Sequence, residues 1–191
     1  GAYSFAAQAV EVEVDPYTGK VRVVDVVSVH DSGTVLNPLL AESQVIGGVV
    51  MGLGHALGEE LIYEDGRMVN GQYLDYPLPR AGDVPRIRPI FVGGGDPKGP
   101  YGAKGIGEIV LVPTVAAVGN AIAHATGVRI RSAPFTPDKV VMAWKYDGRR
   151  PRRSYHLWRR PSRWEIAAVR AAYPRGMHHL LDRFGTKLAR P

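Results

Sequence analysis

Five glycines, Gly47, Gly48, Gly52, Gly54 and Gly58, fall inside a stretch that every other local signal marks as a single helix. Asn37 is placed as its N-cap, and Pro38 stands at the first helical position, where a missing N–H costs little. The apolar spacing that follows predicts a helix over 39–61. Each glycine disfavours that helix by about 1 kcal/mol relative to alanine. A chain that keeps five of them has to bring something close to the helix, either another backbone or a ligand. That requirement restricts the fold more than any other feature.

The segments around the helix read clearly. Ala9-Val10-Glu11-Val12-Glu13-Val14 alternates apolar and acidic residues, the period of a half-buried strand. Asp15-Pro16-Tyr17-Thr18-Gly19-Lys20 supplies a turn, and 21–29 returns as a second, more apolar strand. His30 and Asp31 are expected to order the loop before Asn37. Glu64-Asp65-Gly66 marks a turn, and the Tyr/Leu-rich stretch 72–78 predicts a further hairpin. Arg86-Ile87-Arg88-Pro89-Ile90-Phe91-Val92 reads as an edge strand, because Pro89 cannot donate to a ladder. Pro113 opens an Ala/Val-rich helix that Gly127 can close. A short strand over 128–132 and a last helix, started by Thr136-Pro137-Asp138 and running over 140–144, complete the pattern. Helices mix with antiparallel strands without a regular βαβ rhythm, which predicts an α+β fold.

The chain has 191 residues, of which 45% are hydrophobic and 22% charged, enough for one domain with a real core and an appendage. The boundary is expected between a domain over 1–146 and a tail over 147–191. Charge supports that division. Of 24 Lys and Arg against 18 Asp and Glu, residues 145–191 hold 13 against 3, leaving 11 against 15 for 1–144. The tail carries a basic linker and a Ser162-x-x-Glu165 capping box that predicts a helix to about Tyr173. Trp158, Trp164, Tyr155 and Tyr173 would cover one face of it. His178 and His179 lack partners at metal-ligand spacing and read as surface residues, and no metal-ligating residue is assigned. No apolar run predicts a membrane span, and a cytoplasmic location is expected. There is no cysteine, which excludes disulfides, zinc–thiolate sites, a thiol nucleophile and thiolate-bound iron–sulfur clusters in this chain. Any electrons it handles must leave through another polypeptide.

The stretch Gly99-Pro100-Tyr101-Gly102-Ala103-Lys104-Gly105-Ile106-Gly107-Glu108 has four glycines in ten residues. Such a backbone can press against a ligand and turn N–H groups toward it, with Lys104 offering a cation and Glu108 a carboxylate. By spacing alone a plain connector is the favoured reading, with Glu108 only suiting a helix N-terminus. The run matches neither a P-loop nor a Gly-x-Gly-x-x-Gly turn.

Six stretches taken in order resemble one family. They are the Val12-to-Lys20 hairpin, Asp31-x-Gly33-x-x-x-Asn37-Pro38, Gln44-x-x-Gly47-x-x-x-x-Gly52-Leu53-Gly54, Glu59-Glu60, Gly102-Ala103-Lys104-Gly105-Ile106-Gly107-Glu108 and Thr136-Pro137-Asp138-Lys139-Val140. Together they resemble the C-terminal molybdenum-cofactor-binding part of the large subunit in the xanthine oxidase family of molybdenum hydroxylases. The resemblance implies that Glu108 is the active-site base, taking a proton at the metal centre while water-derived oxygen goes to an aldehyde, N-heteroaromatic or purine-like carbon of a small-molecule substrate. It implies that the Gln44 amide hydrogen-bonds a molybdenum–pyranopterin centre, in the cytosine dinucleotide form. Gly47 and Gly48 would let the cofactor lie on the helix, and backbone groups of Ala103, Lys104 and Gly105 would contact it. His55 reads as a packed core histidine. Met51 stands where some relatives carry a second glutamine, a departure on the substrate side.

The resemblance also implies partners: the remainder of the large subunit, a 2Fe–2S subunit and an FAD subunit. Gly93-Gly94-Gly95 does not match the family's Gly-Gly-Gly-Phe-Gly-Gly-like loop. The chain therefore reads as a split subunit or a fragment, with the cofactor at an interface and no activity of its own. Two branches, hydroxybenzoyl-CoA reductase and carbon monoxide dehydrogenase, remain alternatives. So does a non-catalytic assembly protein whose basic tail binds a partner, with nucleic acid the less favoured ligand.

Overall fold

A computed structural model describes residues 2–146. The basic linker, the 162–173 helix, the paired histidines and the boundary expected at 146/147 lie outside the described residues.

The N-terminal hairpin forms as its alternation requires. Strand β1 (Phe5–Val14) pairs antiparallel with β2 (Val21–Asp31). Asp15 Oδ1 accepts the Tyr17 and Thr18 N–H groups at 2.8 and 3.3 Å across the turn. The register shifts at Glu11/Val12, so that Glu11 faces Asp25 while Val12 faces Val23. This bulge changes the phase of β2 and lets Val23 join Val26 in the core.

Arg86–Val92 forms the next strand of this sheet and pairs parallel to β2, giving the order β1-β2 followed by this strand at the edge. The edge position suits Pro89, whose missing N–H is not needed there. The fold is α+β, with one parallel pair that the local sequence pattern does not announce. Helix α1 (Pro38–Leu57) lies within the crossover that a parallel pair demands. The Arg88 guanidinium grips the buried Asp25 carboxylate through two contacts of 2.9 and 3.2 Å, so the acid is paired where it leaves water.

Asn37 caps α1 by accepting the Leu40 N–H at 3.1 Å. The helix ends before the expected 61, because the Gly58 N–H turns back to the Gly54 carbonyl at 3.0 Å. Its buried face carries Val45, Gly48, Val49, Gly52, Leu53 and Ala56. A Cβ at Gly48 would run into the Val110 side chain, and one at Gly52 would come within 2.6 Å of Thr114 Cβ. Both glycines therefore admit the start of helix α2 (Val112–Thr126) and the residues just before it. The core gathers Val23, Val26, Val45, Val49, Leu53, Ala56, Val110, Val118, Ile122 and Phe135 between the sheet and these two helices.

The 19-residue stretch Glu108–Thr126 is long and apolar enough to cross a bilayer, contrary to the expectation that no such run exists. Its buried Val110, Thr114, Val118, Gly119 and Ile122 face the protein core. Gly127 closes α2 at φ 76°.

Three expectations need correction. The hairpin after α1 is formed by β3 (Tyr63–Glu64) and β4 (Arg67–Met68) alone, turning through Asp65 and Gly66 at φ 48° and 78°. No strand forms over 72–78, where Asp75 and Tyr76 N–H groups instead bond back to the Gln72 carbonyl. Residues 128–132 also form no strand, since no neighbouring strand offers them a ladder. Helix α3 (Pro137–Tyr146) starts at the expected Thr136-Pro137-Asp138 signal, and its helical residues extend beyond the expected 140–144 at both ends.

Candidate functional site

The glycine-rich loop is fastened to the end of β2. Gly33 and Ala103 form an isolated bridge, with Thr34 N–H donating to Gly102 O and Lys104 N–H to Ser32 O, both at 2.9 Å. Gly33 sits at φ 64°, and a Cβ there would strike the Gly102 carbonyl. Beneath the bridge, Lys104 Nζ lies 2.7 Å from Asp31 Oδ2, with side chains only 11% and 19% exposed. Asp31 Oδ1 also accepts the Gly33 N–H at 3.1 Å. The hydrogen bond from Lys104, helped by that from Gly33, holds the Asp31 carboxyl below the usual carboxylate range. The Phe5 ring stands 5.8 Å from the same ammonium.

These contacts show how part of the expected site is engaged within the chain. Lys104 is an anchor of the loop rather than a cation held out to a ligand, because its charge is matched by Asp31. The Ala103 N–H donates to Pro100 O at 3.0 Å, and the Lys104 N–H to Ser32 O at 2.9 Å. Gly105 differs: its carbonyl accepts from Ser4 Oγ at 2.9 Å, while its N–H has no partner among the described residues.

Gln44 meets the loop from the other side, its Nε2 donating to Gly107 O at 3.1 Å. Glu108 follows directly, exposed at the head of the 3-10 turn Glu108–Val110, whose last residue is buried. The outward face of α1 carries Leu40, Gln44, Gly47, Met51 and His55, all exposed. Gly47 has nothing within 4 Å of where a Cβ would stand, and the same holds for Gly105 and Gly107. Gly48 points the other way, into Val110, so only Gly47 of that pair leaves backbone bare on the outer face.

A cleft of about 430 Å³ opens beside this meeting point, lined by Ser32, Thr34, Asn37, Gln44, Ala103, Lys104 and Gly107 among others. The structure thus brings Gln44 together with Ala103 and Lys104 in one wall and places it against the residue before Glu108. Glu108, Gly47 and Gly105 lie outside that lining, on the adjacent open surface.

Two histidine expectations reverse. His55 is exposed, its Nε2 3.7 Å from Glu59 Oε2 one turn along the helix. His30 is the core histidine, 1% exposed, bonded through Nε2 to Ser28 Oγ at 2.7 Å, and it takes no part in ordering the turn. Burial lowers its pKa. Gln8 does not stand out in the sequence. It shares strand parity with the inward-facing Val10, and an amide at such a position is the available signal. Among the described residues no group of three or more His, Cys, Asp or Glu converges as a metal site.

Comparison with known proteins finds relatives of this chain. A family model described as the molybdopterin cofactor-binding domain matches residues 1–85. The putative xanthine dehydrogenase molybdenum-binding subunit of Escherichia coli is 42% identical over 139 residues, covering 72% of this chain and 18% of that protein. The aldehyde oxidoreductase molybdenum-binding subunit of the same organism is 44% identical over 141 residues, covering 72% of this chain and 19% of its own length. The crystallised aldehyde oxidoreductase of Desulfovibrio gigas superposes with a TM-score of 0.68 at 33% identity, covering 74% of this chain and 15% of that one.

Fold and matches together define a molybdopterin cofactor-binding domain. The chain belongs to the xanthine oxidase family of molybdenum hydroxylases. It spans a fifth or less of the curated relatives it matches. The residues present fit a molybdenum–pyranopterin group. The outer face of α1 and the loop leave backbone bare at Gly47, Gly105 and Gly107, a cradle that side chains would fill. An uncharged amide and an exposed carboxylate stand at its edge.

Proposed function

We propose that this chain forms one wall of the active site of a molybdenum hydroxylase, with Glu108 as the general base and Gln44 as a cofactor-binding amide. The observation that carries the reading is the Gln44 Nε2 to Gly107 O bond, which joins the open face of α1 to the turn that presents Glu108. When bound, the molybdenum–pyranopterin group supplies the two-electron oxidation and the water-derived oxygen that enters an aldehyde or N-heteroaromatic carbon. Glu108 accepts the proton released in that step on its carboxylate, and the bare backbone of Gly105 and Gly107 beside it leaves room for close approach. Gln44 has two amide hydrogens, so one remains for the cofactor while the other holds Gly107. Gly47 and the Gly105 N–H complete the cofactor surface on this side.

The reading requires the rest of the large subunit and chains bearing 2Fe–2S and FAD, since this one has no cysteine to ligate iron. The cytosine dinucleotide form of the cofactor and a cytoplasmic location belong to the same proposal. In the assembled enzyme, Glu108→Gln is expected to abolish turnover while molybdenum and pterin contents stay at the wild-type level. Full activity in that variant overturns the role of Glu108.

A further inference from the structure

The core face of β2 is unusually polar, because Ser28 and His30 follow Val26 at successive inward positions and all three are buried. Buried polar groups need partners, and here the partner comes from the neighbouring strand. Gln8 stands directly opposite Ser28 in the register. Its Nε2 donates both to Ser28 Oγ and to the carbonyl of Val110, each at 2.9 Å. The Val110 carbonyl can only accept, which fixes the amide with its NH2 toward it. With Ser28 Oγ accepting the second hydrogen, the serine O–H is directed to His30 Nε2 at 2.7 Å. The chain of donors therefore runs from β1 through β2, with its one other branch ending on the turn that begins at Glu108.

We infer that Gln8 is a positioning residue for Glu108, holding the Glu108–Val110 turn at its far end through the Val110 carbonyl. The near end is already fastened by Lys104 on Asp31 and by Gln44 on Gly107. Without Gln8 the far end of the turn would be held from β1 only by the apolar packing of Val110, which resists displacement but does not fix rotation. Gln8 lies on the buried side of the turn, and the exposed carboxylate of Glu108 is carried on the other. The inference rests on the reading of Glu108 as base.

Two variants test it. Gln8→Met keeps the volume and removes both donors. Gln8→Glu keeps the shape and can donate to Val110 only when the new carboxyl is protonated. In the purified full chain, amide hydrogen exchange at Leu111 and Thr114, whose N–H groups close this turn and the next, is expected to quicken about tenfold in Gln8→Met, with the β1–β2 ladder amides unchanged. In the assembled enzyme kcat is expected to fall on the order of 100-fold at unchanged KM and molybdenum content. For Gln8→Glu, kcat relative to wild type should recover as pH falls, and for Gln8→Met it should not. Unchanged exchange at Leu111, or parallel pH profiles for the two variants, overturns the inference. If Gln8→Met does not fold, the pH profile of Gln8→Glu decides alone. An active Glu108→Gln enzyme would remove the catalytic reading and leave the exchange result standing, so the two failures are distinguishable.

Discussion

The two faces of α1 are built from the same kind of residue and behave in opposite ways. On the inner face Gly48 and Gly52 are filled from outside, by Val110 just before α2 and Thr114 in its first turn. On the outer face Gly47 is bare, and Leu40 and Met51 beside it are 65% and 45% exposed. One face is completed by this chain. The other presents an amide, naked backbone and apolar side chains with nothing from the described residues covering them. A glycine in a helix thus marks close approach, and only the tertiary structure tells whether the approaching group lies within the chain.

The strongest way to break this contrast is to fill the inner face. Gly48→Val places a branched side chain where Val110 already stands, and overpacking of this kind costs about 1–3 kcal/mol, occasionally more. A thermal melt of the full chain should fall by several degrees, and an unchanged melt would contradict the packing described for α1.

The anchor between the loop and β2 comes next. Asp31 has its folded pKa below the unfolded value, so its stabilisation is present above the ordinary carboxylate pKa and lost as pH falls through the folded one. Asp31→Asn should therefore melt lower than wild type at pH 7, with the two curves converging in acid. A gap that persists at low pH would point to lost packing at Gly33 and Gly93 rather than to the ion pair with Lys104.

The smallest effect is expected at the outer face and carries the opposite sign. Gly47→Ala meets no atom and gains helix propensity, so it should stabilise the full chain by up to about 1 kcal/mol. The same substitution should lower molybdenum–pterin content in the assembled complex. Unimpaired loading would show that the outer face at Gly47 is not where the cofactor lies.

Much of the fold is legible in the amino-acid sequence. The Asp15-to-Lys20 turn, the Asn37 cap, the edge role of Pro89 and the Gly127 stop are each decided by groups within a few residues of one another. Their physics is local, and they form as the sequence predicts. The order of motifs from Val12 to Val140 is enough to identify the family, because each motif is written in consecutive residues. The expectations that fail depend on partners distant in the chain. The 72–78 stretch has strand-like composition but no neighbouring strand to ladder with. His55 looks internal on an apolar helix, yet the register of α1 turns it outward, while His30 is drawn inside by the parity of β2 and by Ser28.

The candidate site divides along the same line. Glu108, Gln44 and the bare glycines are features of the sequence itself, since residue type alone supplies a carboxylate, an amide or exposed backbone. The engagement of Lys104 with Asp31 and the hold of Gln8 on Val110 join residues 73 and 102 positions apart, and the fold decided both. The separate destinations of Gly47 and Gly48 are of the same kind, because the Val110 side chain that meets Gly48 also comes from far along the chain. The sequence determined which chemical groups the protein owns. Only tertiary packing decided which of them are engaged with one another and which are left facing outward.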